Sequence, residues 1–224
     1  IEFPGAWYHV MNRGRRRENI FLQSDDFEAF LNIVRESADR WNVHVAAYCL
    51  LSNHYHLLLQ TPEGNLARCM RHINGVYTQR FNRTHGHDGQ LFRGRYKAVL
   101  VEDDCHLLEV MRYIHRNPLH AGLVRHLDEY PWSSHAGYLS SAKQWNWLER
   151  ETLLTMLTME RSQRKQAYLD FVSQNEPQEI TSFYAMKKLA SLLGGEAFRD
   201  WVSHRFVDLE LQREIPEAKK LANT

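Results

Sequence analysis

The chain has 224 residues, 43% hydrophobic and 25% charged, with a formal net charge of +1. That is ordinary soluble globular material, long enough for one domain plus an extension. No apolar run approaches the ~20 residues that cross a bilayer and no secretory leader is visible, so a membrane role is excluded.

The first residue is Ile1 rather than methionine, so a few native residues are expected in front of it. Cys49, Cys69 and Cys105 are odd in number and show no C-x-x-C pairing. They point to a reducing cytoplasm, and away from disulfides or a cysteine zinc site.

Residues 6–13, "AWYHVMNR", alternate as a strand does, and Gly14 with the arginines after it closes that strand. Ser24 is the expected N-cap of a helix over "SDDFEAFLNIVRESADRW", with Phe27, Phe30, Leu31 and Val34 on one face. "NVHVAAYCLL" and "HYHLLLQT" are two strands separated by Ser52-Asn53, a hairpin-length connection. "NLARCMRHINGVYTQRFNR" has helical spacing, and "QLFRGRYKAVLV" (90–101) reads as a fourth strand. Asp103 or Asp104 then caps a helix over "CHLLEVMRYIHRN", which Pro118 is expected to end. The order βαββαβα predicts an α+β, ferredoxin-like antiparallel sheet with an added helix, over residues 1–139. Residues 140–224 read as a helical extension, with helices near 149–160, 162–174, 182–193 and 196–206.

Side chains two apart on a strand share a face, so His54 and His56 project together while Tyr55, Leu57 and Leu59 enter the core. Two imidazoles on one rigid strand make half of a metal site. The same pattern also fits two histidines on a solvated sheet face. In the third helix Leu107, Met111 and Ile114 form the packed stripe, with Val110 at its edge. Tyr113 and Asn117, four apart, are neighbours on an adjoining face, where a nucleophile and an amide ligand can sit side by side. A boundary tyrosine and an Asn helix terminator would occupy those positions equally well.

Charge is distributed unevenly. In residues 1–139, 15 of 16 basic residues are arginine, clustered at "RGRRR" (13–17) and "RGR" (93–95). Arginine forks grip phosphate in pairs, so these clusters point to nucleic acid. Trp7, Tyr8, Phe92 and Tyr96 lie among them and suit base stacking, although Trp7 and Phe92 read as core by default.

"PGAWYHVMNRG", "NHYHLLL" and "MRYIHRNPLHAGLV", in that order, resemble the single-tyrosine HUH transposases, and within them the bacterial REP-associated branch. The resemblance covers about residues 4–139. One departure is Ser52, where many relatives have proline. The resemblance implies that His54, His56 and Asn117 bind Mg²⁺ or Mn²⁺ and that Tyr113 is the nucleophile. It implies cleavage and rejoining of single-stranded or hairpin DNA at repetitive extragenic palindromes, in the cytoplasm near the nucleoid, by a monomer or homodimer. DNA contacts carry over to Asn12, Arg13, Arg15, Arg16 and Arg17. Arg93 and Arg95 join them as phosphate contacts, and Arg112 and Arg116 as groups that stabilise the phenolate. Two alternatives stay open. One is a non-catalytic nucleic-acid-binding module on the same fold, and the other is a metal phosphoesterase that uses water.

Overall fold

The computed structural model describes residues 1–103, 105–186 and 189–207. Strand β1 (Ala6–Arg13) leads through a 3-10 turn at Arg15–Arg17 into α1 (Ser24–Trp41), followed by β2 (His44–Leu51) and β3 (His54–Thr61). Next come α2 (Leu66–His85), β4 (Lys97–Val101) and α3 (Cys105–His120). The four strands run β2-β3-β1-β4, all antiparallel, which is the ferredoxin-like arrangement.

Strand alternation builds two apolar layers. Tyr8, Val10, Tyr55, Leu57 and Leu59 face α1 and α2 in one of them. Trp7, Leu58, Val99 and Val101 face the opposite way, against Leu107, Val110, Met111 and Ile114 of α3. These four α3 residues are fully buried. Each contributes ~1.5–3 kcal/mol relative to exposure, which fixes the rotation of α3 about its axis. The direction taken by Tyr113 follows from that rotation.

Several boundaries differ from the sequence expectation. Gln23 rather than Ser24 caps α1, in a reciprocal box with Asp26. The fourth strand starts only at Lys97; before it the chain leaves the sheet as a loop, with one isolated bridge from Phe92 to Gly14. Pro118 lies inside α3 rather than ending it. It forfeits one backbone bond in the last turn, and the helix stops where Gly122 turns left-handed at φ 66°. There the N–H groups of Gly122 and Leu123 close onto the carbonyls of Leu119 and Pro118, a Schellman ending. Of the two cap candidates for α3, Asp104 lies outside the described residues.

The extension continues with α4 (His135–Leu139), α5 (Glu151–Leu157), α6 (Arg164–Ser173), α7 (Gln178–Ala185), β5 (Leu192–Leu193) and α8 (Glu196–Val202). The helix expected at 182–193 is thus shorter and earlier. Leu192 and Leu193 instead pair in parallel with Leu100 and Val101 on the free edge of β4, so the sheet is mixed rather than purely antiparallel. Leu153, Leu154, Tyr168, Val172, Ile180, Phe183 and Leu193 share the buried layer of α3. A polar chain ties them in. His115 Nε2 meets Ser134 Oγ at 2.7 Å, and His115 Nδ1 meets the Tyr168 hydroxyl at 2.9 Å. His135 Nδ1 reaches that same hydroxyl at 2.6 Å. These described residues of the extension therefore share one core with the sheet and α3.

Candidate active site

The site forms where the start of β3 meets α3 across the α3 side of the sheet. Its strand side is set by register: Arg13 is opposite His54 and Met11 opposite His56. The rings of His54 and His56 lie 5.1 Å apart, centre to centre, on the same face, as their spacing predicts. Tyr113 arrives from α3 with its ring 5.9 Å from that of His56 and nearly perpendicular to it. Asn117, one turn later, donates from Nδ2 to the Tyr113 carbonyl at 3.0 Å, and its amide acts to lower the pKa of the phenol. The structure thus brings His54, His56 and Tyr113 together, with Asn117 one helical turn from Tyr113.

Electrostatics favours neutral ligands. Burial, helped by the charge of Arg13, pushes the imidazole pKa of His54 down to about 4. It holds His56 well below its ordinary range, with His9, His54 and Arg13 adding to the effect. Burial raises the Tyr113 phenol, while the Asn117 amide and Arg13 act in the opposite sense. Uncharged imidazoles have lone pairs to offer, and second contacts decide which nitrogen offers them. His54 Nδ1 faces Asn53 Oδ1 at 2.6 Å, an atom that can only accept, so Nδ1 carries the proton and Nε2 the lone pair. His56 Nδ1 is taken by His9 Nε2 at 2.9 Å, which leaves Nε2. Two imidazole Nε2 atoms and an amide oxygen suit a hard divalent ion that keeps open positions for water or phosphate. Among the described residues no group of three His, Cys, Asp or Glu could hold a metal ion.

The arginines divide into two groups. Arg13, Arg15, Arg16, Arg17, Arg93 and Arg95 are exposed. The two clusters also meet: Arg15 N donates to the Leu91 carbonyl, and Arg93 N to the Arg13 carbonyl. Asn12 is buried, its Nδ2 tied to the Gly94 carbonyl at 3.3 Å, so it anchors the 92–96 loop. Arg112 is buried against Glu109, the Phe171 carbonyl and the Phe171 ring. Arg116 is held by Glu176, Asn175 and the carbonyls of Val172 and Ser173. Neither is open to DNA or placed to aid the phenol; the cation acting on Tyr113 is Arg13.

The model of the family described as "Transposase IS200 like" matches residues 3–117, and Asn117 is the last position in the match. The chain belongs to the IS200-like transposase family. A Haemophilus influenzae protein described as a REP-associated tyrosine transposase is 25% identical to this transposase over 122 residues, covering 50% of this chain and 69% of its own. A solved structure of a REP-associated tyrosine transposase bound to a REP hairpin has the same fold, with a TM-score of 0.53 at 17% identity. That likeness covers 63% of this transposase and 82% of the solved chain. No described helix is long and apolar enough to cross a membrane.

Beside these site residues of the transposase lie two to which the sequence analysis gives no role, His9 and Tyr184. His9 had a signal, since Trp7, His9 and Met11 alternate onto the face that carries His56. Tyr184 had none, because its contact with His9 spans 175 residues of chain.

Proposed function

We propose that this transposase cleaves and rejoins single-stranded or hairpin DNA of the repetitive extragenic palindrome type, through a covalent 5′-phosphotyrosine on Tyr113. One observation carries the proposal. A phenol stands edge-on beside the paired histidines, on a helix whose rotation is fixed by a buried stripe. The hairpin substrate is inferred from the solved relative of the same fold, which is described as bound to one.

His54, His56 and Asn117 would hold the cation, Mg²⁺ or Mn²⁺, whose contribution is charge neutralisation at a non-bridging phosphate oxygen. The remaining work falls to side chains of this chain. Arg13 and the Asn117 amide favour the phenolate over the phenol and so oppose the effect of burial. The Tyr113 oxygen bonds to phosphorus as the P–O3′ bond breaks. The phenolic proton leaves, and the departing O3′ takes up a proton to become a 3′-hydroxyl. The phosphotyrosine conserves the ester, so attack by a second 3′-hydroxyl rejoins a strand and restores the phenol. Exposed Arg15, Arg17, Arg93 and Arg95 would grip phosphates at the same end of the sheet.

The test is incubation of the full chain with Mn²⁺ and a labelled hairpin oligonucleotide, followed by a denaturing gel. A protein–DNA adduct is expected from the native chain. Tyr113→Phe should give none while its hairpin binding is unchanged. An adduct surviving in that variant removes Tyr113 as nucleophile, and cleavage without any adduct points to attack by water.

A further inference from the structure

Beneath the paired histidines lies a third, on the central strand β1. His9 is wholly buried, and both of its ring nitrogens are engaged. Nε2 is 2.9 Å from His56 Nδ1, and Nδ1 is 2.6 Å from the Tyr184 hydroxyl. Tyr184 comes from α7, outside the segment that matches the family. Its ring also stacks on Tyr113, with centres 4.0 Å apart and planes at 15°.

A neutral imidazole has one donor nitrogen and one acceptor, so this chain of bonds has a direction. In one direction Tyr184 donates to His9 Nδ1, His9 Nε2–H donates to His56 Nδ1, and His56 keeps its proton on Nε2. In the other, His56 Nδ1–H donates to His9 Nε2, and His9 Nδ1–H donates to the Tyr184 oxygen. Only the second leaves a lone pair on His56 Nε2. It also matches His54, whose proton is fixed on Nδ1 by Asn53.

We propose, on the assignment of His54, His56 and Asn117 as cation ligands, that His9 and Tyr184 are positioning residues of this site. Tyr184 accepts from His9 Nδ1–H, which keeps His9 Nε2 an acceptor toward His56 and presents His56 Nε2 outward. The same tyrosine seats the ring of the nucleophile. The C-terminal extension is then a working part of the catalytic centre rather than a scaffold behind it.

Two measurements on the full chain test this. Long-range ¹H–¹⁵N correlation with labelled histidine reads the tautomers directly, and both His9 and His56 are expected as Nδ1–H forms without metal. Mn²⁺ titration by calorimetry or electron paramagnetic resonance reads the affinity. Tyr184→Phe keeps the ring stack but removes the acceptor. It should raise the Mn²⁺ Kd about tenfold, the lower end for losing a partner that orients a metal ligand, and release His9 from a single tautomer. His9→Phe should lose affinity as well, whereas His9→Gln, whose Oε1 replaces the acceptor, should retain it. An Nε2–H His56 in the native chain, or native-like Mn²⁺ binding by Tyr184→Phe and His9→Phe, overturns the relay. His54→Ala with His56→Ala separates the two ideas. Binding lost there but kept in the relay variants sinks only the relay, and binding kept in all of them sinks the ligand assignment.

Discussion

Arg15 and Arg93 leave their guanidinium groups in solvent, whereas Arg116 faces Glu176, whose side chain is only 3% exposed. A solvated arginine that meets a phosphate releases a counterion, and each such contact steepens the salt dependence of binding by ~0.7–0.9 in log–log slope. Arg15→Ala and Arg93→Ala should therefore each flatten the slope by about one contact with stability unchanged. Arg116→Ala should behave oppositely, because it leaves the Glu176 carboxylate with His120 as its remaining charged partner. Stability should drop by about 3 kcal/mol, while the slope stays at the native value. Hairpin-binding isotherms over a salt series, beside urea melts, tell these apart. A flattened slope in Arg116→Ala with native stability would mean that Arg116 reaches DNA after all. The two kinds of arginine look alike in sequence, since Glu176 lies 60 residues from Arg116 and no local pattern announces it.

Elements whose burial is decided locally were legible, and those decided by distant partners were not. The β2–β3 hairpin agrees with its sequence pattern because two apolar strands joined by two residues leave one register that buries Tyr55, Leu57 and Leu59 together. The α3 stripe was legible for a similar reason, with four apolar residues at helical spacing that share one wall. The β5 pairing depended on a free β4 edge far away in sequence, and Pro118 read as a stop because an interior proline breaks a helix, whereas here it sits in the last turn. In the proposed function, the β1–α1 turn presents exposed Arg15, Arg16 and Arg17 to the substrate. A Cβ at Gly14 would sit 2.1 Å from the Glu18 carbonyl oxygen, and the turn already holds Arg16 and Arg17 at φ 55° and 66°. Gly14→Ala must therefore push the backbone of Arg15–Arg17 aside. We expect a loss of about 1–3 kcal/mol in stability, together with weaker hairpin binding. Native affinity in a destabilised Gly14→Ala chain would show that the arginine turn does not contact the substrate.

At the scale of the molecule, one buried layer joins the sheet, α3 and the extension, and neutral histidines sit inside it. His9 is wholly buried, which brings its pKa down to about 3. His115 is fully enclosed by Ser134, Tyr168 and Tyr138 and is held well below its usual range by burial, with His135 acting in the same direction. His135, bonded to Tyr168, is lowered chiefly by burial as well. The unfolded chain takes up protons on these rings near pH 6.5, whereas the folded chain resists them to lower pH, and furthest at His9 and His115. The unfolded state therefore binds more protons as pH falls below 6.5, and folding weakens by ~1.4 kcal/mol per pH unit for each such histidine. The contribution is complete above pH 6.5 and is lost between that point and each folded pKa, which for His9 means down to about 3. Thermal melts at pH 7, 6 and 5 should show a steep fall in Tm while carboxylates are still ionised. His115→Gln, which cannot take up a proton in that window, should flatten the pH dependence even though it costs stability at pH 7. A Tm that stays level from pH 7 to 5 would mean these rings open to solvent in the folded chain, and that the extension does not seal the core over α3.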